Sequence, residues 1–265
     1  MAISGRIGII GGNGQLGGAI ARRLLSVGAV GDGDLWISCR SGRAEVPRGV
    51  IVGADNQALV AACNTVILSV PPAAAASIAI AAPGRLVISV MAGVSLARLA
   101  ALTGSARIVR AMSSPAAEHG LAYSPWVAAS GVTAQDRGTV RAIFDACGLT
   151  DELAEEDQID QFTAMTGPVP GFVALFADAM IRHATARGIA PEVAERAIRQ
   201  LFLASGRILS ASHESPAEQV RAMVDYAGTT AAGIAAMEAA GLARAISEGL
   251  DAAAARARIL GEGGA

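Results

Sequence analysis

Along the first half of the chain, apolar residues come in short unbroken runs: Arg6–Ile10, Leu35–Ser38, Thr65–Val70, Leu86–Val90 and Arg107–Met112. Runs that are apolar at consecutive rather than alternate positions suit strands covered on both faces. Between the first two lies Gln15–Val27, with apolar residues at helical spacing, and Thr133-x-x-Asp136 has the form of a helix start for a segment ending near Gly148. The stretch Asn56–Gly84 carries no charge, but Asn64 and Pro71-Pro72 interrupt it. It therefore reads as helix, buried strand and helix, because a membrane span wants ~20 uninterrupted apolar residues. Strand–helix alternation of this kind predicts a doubly wound parallel sheet.

The pattern changes after the acidic stretch Asp151–Asp157. From Gly167 onward no strand is predicted, and long helices are expected over Pro170–Arg187, Pro191–Ala211, Pro216–Val224 and Thr230–Leu260. Pro191 and Pro216 sit where a first-turn proline is favoured, Gly188 stops the helix before, and Ser215-Pro216-Ala217-Glu218 is a capping box. The expected architecture is α/β: an N-terminal Rossmann-type doubly wound sheet over 1–157, then an all-helical domain over 158–265. The last helix is rich in small residues from Ala231 to Gly241, a composition shared by ordinary alanine-rich helices and by closely packed dimer interfaces.

Composition narrows the function classes. With 52% hydrophobic and 17% charged residues disorder is excluded, and with 3% aromatics the core must be built from Ala, Val, Ile and Leu. A net charge of −2 gives no electrostatic reason to expect nucleic acid or an anionic membrane as partner. No lysine occurs, so neither Schiff-base chemistry nor a lysine general base is available. Cys39, Cys63 and Cys147 are scattered, with no metal-ligand spacing; they suit a reducing cytoplasm and predict no metal site. The segment Met1–Gly5 has no signal-like pattern.

Gly12-Asn13-Gly14-Gln15-Leu16-Gly17 fits G-x-G-x-x-G between a predicted strand and a predicted helix, the setting that makes this pattern specific for a dinucleotide. The first glycine is expected to make the tight turn, the second to admit the pyrophosphate and the third to let helix pack on strand. At the end of the second strand an NAD site places a carboxylate on the ribose hydroxyls. Here the sequence is Ser38-Cys39-Arg40-Ser41-Gly42-Arg43. Arg40, with Ser41 and Arg43 beside it, suits the 2′-phosphate of NADPH.

Several phrases, in order, resemble pyrroline-5-carboxylate reductase. They are Arg6–Gly17; Val66–Pro72, similar to the family's "ILAVKP"; Leu86–Val94, similar to "IISIAAGV"; Arg110-Ala111-Met112; Thr163–Gly167; and Met223–Thr230, similar to "MVTSPGGTT". The resemblance covers nearly the whole chain. It implies a Rossmann domain plus a helical dimerisation domain, hence a homodimer or larger assembly, with substrate held where the domains meet. It also implies reduction of a cyclic imino acid by hydride from NAD(P)H. The nicotinamide would lie against Ser69, Val70 and Pro71 and against Ala92 and Gly93, with Met112 nearby. The substrate would be held by Gly228, Thr229 and Thr230, with Gly167 and Val169 contributing. Thr230 is the hydroxyl implied to touch the ring nitrogen or carboxylate; an N-cap role for the last helix is the plain alternative.

The departures cluster at the substrate end. The family's lysine in "VKP" is Pro71, its Pro-Asn after the methionine is Ser113-Ser114, and its "SGSGPAY" is Thr166–Phe172, which loses N–H donors. Asp225 would repel a substrate carboxylate and favour a cationic iminium, unless it faces solvent or pairs with Arg221. Glu118 and His119 are further polar candidates near the active face, whereas His183 and His213 read as surface positions. Three readings stay open: an imine reductase, a dehydrogenase of a β-hydroxy acid or prephenate-like substrate, and an NADP-binding dimer that has lost catalysis.

Overall fold

The computed structural model describes residues 3–44, 46 and 48–261; the ends of the two expected domains, residues 1–2 and 262–265, lie outside them. The first elements in chain order are β1 (Ile7–Ile10), α1 (Gln15–Ser26), β2 (Leu35–Ser38), β3 (Val50–Gly53), α2 (Asn56–Ala62) and β4 (Thr65–Leu68). There follow β5 (Leu86–Ser89), α3 (Leu96–Thr103), β6 (Arg107–Ala111), β7 (Ala122–Tyr123), β8 (Trp126–Ala128), α4 (Ala134–Cys147) and β9 (Gly148–Leu149). The remainder is helical: α5 (Gln158–Met165), α6 (Gly171–Thr185), α7 (Pro191–Ala211), α8 (Pro216–Asp225), α9 (Thr229–Ala239) and α10 (Leu242–Gly261).

The main sheet runs β3-β2-β1-β4-β5-β6-β8, parallel except for β8, which pairs antiparallel with β6. Most positions of its central strands are apolar, because these strands supply two cores. Ile7, Ile9, Ile67, Ile88 and Val109 face the cluster that includes Ile20 and Leu24 of α1 and Phe144 of α4. Ile10, Val66, Leu68, Val87 and Ile108 face the cluster under α2 and α3. Each fully buried Ile or Leu contributes roughly 1.5–3 kcal/mol.

Four features depart from the pattern-based expectation. The short strand β3 was not anticipated: only Val50, Ile51 and Val52 are apolar there, and as the sheet's edge it is at most half-buried. β7 and β9 form a separate two-residue pair. The second helix expected in Asn56–Gly84 is a single 3-10 stretch, Pro72–Ser77, started by proline and followed by buried Ile78 and Ile80. The helix expected over Thr230–Leu260 is broken between α9 and α10, where Gly241 takes φ 82° and ends the helix.

The chain forms two compact units, one of Met1–Val169 with Leu250–Ala265 and the other of Pro170–Gly249. The second unit is helical throughout its ordered elements, and α6, α8 and α9 contain no buried residue. In α7 only Ala194 is buried. Among the described residues no helix is long and apolar enough to cross a membrane.

Candidate functional site

The chain crosses from β3 back over the sheet to β4, so the strand order reverses between β1 and β4 at their C-terminal ends. Ligands of doubly wound sheets bind in the crevice at this place. The loop Gly11–Gly17 leaves β1 there. Gly11 has φ 83°, and a side-chain carbon on it would collide with the Ser69 carbonyl. The N–H groups of Gly11 and Gly12 both donate to the Ser38 carbonyl, at 3.0 and 3.2 Å. A Cβ at Gly12 would lie 2.5 Å from Ile37, and one at Gly17 2.6 Å from the Gly11 carbonyl. The tight turn therefore falls on Gly11, one residue before the expected Gly12. The signal for it was the doubled glycine at the end of the strand.

Gly14 caps α1 with no side-chain hydrogen bond, and no acidic residue stands in the first turn. The N–H groups at the head of α1 have no intrahelical partners, and the positive end of its dipole is uncompensated. A glycine-walled cradle opening on an uncapped helix fits a pyrophosphate.

The structure brings the other cofactor candidates to the same edge of the sheet, because Ile10 is in register with Ser38 and Leu68, Leu68 with Ser89, and Ser89 with Arg110. After β2, Arg40 and Arg43 are exposed and form no ion pair among the described residues. The Ser41 hydroxyl donates to the Arg43 carbonyl at 2.8 Å and accepts from the Arg43 N–H at 3.3 Å. Ser41 thus shapes the loop, its own proton already committed. After β4, the Ser69 N–H donates to the Ile10 carbonyl, Val70 is half-buried and Pro71 exposed. After β5, Met91 is buried and the half-buried Ala92 and Gly93 follow. Met112, at the end of β6, is 4% exposed and packs with Val127 and Ile159. Its side chain is core, and its N–H donates to the Pro125 carbonyl at 3.0 Å.

Arg110, 3% exposed, is held by Glu156 at 3.1 Å and by Asp160. Glu156 also accepts from the Leu96 N–H at the start of α3, at 2.8 Å. These residues were not among the sequence candidates, because nothing in local spacing joins β6 to α5.

The substrate-side candidates are arranged as follows. The N–H of Val169 donates to the Gly167 carbonyl at 2.9 Å, so it is spent locally. In the helical unit, Gly228 is the N-cap of α9 and makes no side-chain cap, so Thr229 and Thr230 are the first two helical residues. The expected N-cap role of Thr230 is thereby replaced by Gly228. Neither threonine hydroxyl makes a hydrogen bond among the described residues, and Thr230 is exposed. Asp225 ends α8, exposed, without an ion pair to Arg221. Glu118 is not a free acid: it accepts from Arg22 of α1 at 2.8 Å through both oxygens, and that guanidinium holds its carboxyl below the usual range. His119, His183 and His213 are exposed. Burial pushes the Cys63 thiol up to about 11 and the Cys147 thiol to about 12, and all three cysteines are unpaired. Among the described residues no cluster of His, Cys, Asp and Glu could hold a metal.

A parallel sheet with a glycine cradle at its reversal point, followed by a helical domain, defines a Rossmann-type dinucleotide-binding class. The family model "Pyrroline-5-carboxylate reductase dimerisation" matches residues 156–260, and "NADP oxidoreductase coenzyme F420-dependent" matches residues 6–93. The chain is 30% identical to pyrroline-5-carboxylate reductase of Synechocystis over 97% of its own length and 98% of the relative's. Among solved structures it resembles 1-pyrroline-5-carboxylate reductase from Streptococcus pyogenes, at 27% identity and TM-score 0.81, covering 96% and 98% of the two chains. The pyrroline carboxylate reductase of Plasmodium falciparum, solved with NADP bound, shares the fold at TM-score 0.84 and 22% identity, over 98% of this chain and all of that one. The chain belongs to the pyrroline-5-carboxylate reductase family.

Proposed function

We propose that this protein is an NADPH-dependent reductase of a cyclic imino acid. The single observation that carries the reading is the glycine cradle at the reversal point, with Arg40 and Arg43 standing in place of a ribose-binding carboxylate. When bound, the cofactor supplies a hydride to the imine carbon. The protein's own part is to bind and orient. The N–H groups at the head of α1 take the pyrophosphate, and Arg40 and Arg43 take the 2′-phosphate. The loops at Ser69–Pro71 and Ala92–Gly93 seat the nicotinamide. The N–H groups of Gly228, Thr229 and Thr230 suit a substrate carboxylate, since α9 begins there without a side-chain cap or an acidic first turn. Asp225 favours the protonated iminium, the form that accepts hydride most readily.

Self-association belongs to the same reading. In the helical unit Leu175 is 65% exposed, Ile208 64% and Tyr226 86%. Apolar helices this open want a partner surface, and the matched family model is one of dimerisation. A cytoplasmic location fits three unpaired thiols.

A second reading, a changed substrate or lost turnover, is favoured by the spent Val169 N–H and by the repulsion that Asp225 would exert on a substrate carboxylate. Purified protein should oxidise NADPH in the presence of pyrroline-5-carboxylate, and do so faster than NADH. Bound NADPH without turnover on this imine would transfer the assignment to the second reading. No binding of NADPH at all would sink both.

A further inference from the structure

The backbone of the loop after β5 meets the last turn of α10. Gly93 has φ 72°, and a side-chain carbon there would collide with the Ala257 carbonyl and lie 2.6 Å from the Gly261 nitrogen. A carbon on Gly261 would in turn fall on the Gly93 carbonyl. The two backbones meet only because neither residue has a side chain. Arg98 of α3 closes the contact, donating from its guanidinium to the Gly261 carbonyl at 2.6 Å. That bond satisfies a terminal helix carbonyl and sets a cation at the negative end of the α10 dipole.

On the other flank, Glu156 ties the Leu96 N–H to buried Arg110, which also holds Asp160. Together with Ser95 and Arg258 these groups line a cleft of about 450 Å³ that Gly93 borders. Its three arginines face three carboxylates, Glu156, Asp157 and Asp160, so it carries no excess charge with which to recruit an ion. The arrangement is a brace rather than a ligand site.

We propose that Arg98 and Gly261 are positioning residues for hydride transfer, fixing the Ala92–Gly93 backbone on which the nicotinamide ring is seated. This rests on the preceding reading of where the ring lies. A shift of the loop by about 1 Å can cost up to ~100-fold in rate, while the adenosine end of the cofactor, held by other loops, binds as before.

The test compares wild type with Arg98→Met, which keeps the apolar stem, Arg98→Lys, which restores a cation, and Gly261→Ala. Binding of 2′-phospho-ADP-ribose and of NADPH, the emission of bound NADPH, turnover and Tm would be measured. Arg98→Met and Gly261→Ala should bind the fragment normally, shift the nicotinamide emission toward that of free NADPH and lower kcat about tenfold. Arg98→Lys should recover most of both signals. If turnover is absent even in wild type, the emission and fragment arms decide. Folded variants with wild-type emission and wild-type turnover would overturn the proposal alone. Fragment and NADPH affinity falling together with Tm would also overturn it, by showing only structural support. A wild type that does not bind NADPH would overturn the reading beneath it as well.

Discussion

Ala227 is the single non-glycine residue with positive φ among those described, at 54°, and it precedes the Gly228–Thr230 turn. An L-residue held left-handed costs about 1–2 kcal/mol, and such strain gathers at functional turns. Ala227→Gly should raise stability by about 0.5 kcal/mol, because relief of strain outweighs the extra backbone entropy of glycine. Urea unfolding would measure this, and a loss of stability would show that the turn is not strained. Arg40 can be tested in the same way. Its solvent exposure limits what its bond to a 2′-phosphate contributes, so Arg40→Ala should reduce the preference for NADPH over NADH about tenfold. Equal affinities for the two cofactors in the unmutated protein would refute the 2′-phosphate assignment. At this scale the sequence was informative where chemistry is local. It marked the glycines and the arginine pair, but put the tight turn one residue late, because backbone dihedrals follow from what packs above the loop, here the Ser69 carbonyl.

Elements show where local signals meet distant partners. The capping box of α4 was legible in Thr133-x-x-Asp136, and the structure has both of its bonds. Hidden from the sequence was that Asp136 also pairs with Arg107 at the start of β6. Burial of Asp136 favours the neutral acid, but the bonds from Arg107 and Thr133 outweigh it and hold the carboxyl below its usual range. A carboxyl depressed in the folded state stabilises the fold above the ordinary carboxylate range, and that contribution is lost as pH falls through the folded value. Asp136→Asn should therefore cost about 2 kcal/mol at neutral pH, from the cap and the charged hydrogen bonds together. The deficit should shrink below about pH 4. Urea titrations at both pH values check this, and an equal deficit at both would mean that ionisation plays no part. Other elements escaped the pattern for related reasons. β3 is too short and too exposed to read as a strand, and α9 and α10 run together in composition until Gly241 parts them.

For the whole molecule, the helical unit carries apolar side chains that its own helices leave uncovered. Light scattering at micromolar concentration should give at least a dimer, and a monomer there would remove the reason for those exposed residues. The sequence by itself determined the alternation of elements, the two-core sheet, the change to helices after the acidic stretch and the glycine cradle at the end of the first strand. Each of these is written in neighbouring residues, as apolar runs, caps and a glycine loop. Tertiary structure alone decided that α10 meets the Gly93 loop, that Arg110 is clasped by Glu156 and Asp160, that Glu118 is spent on Arg22 and that Met112 is core. Those facts join residues far apart in the chain, and which long-range partners meet is settled by packing and by the pairing of buried charge, not by spacing along the sequence.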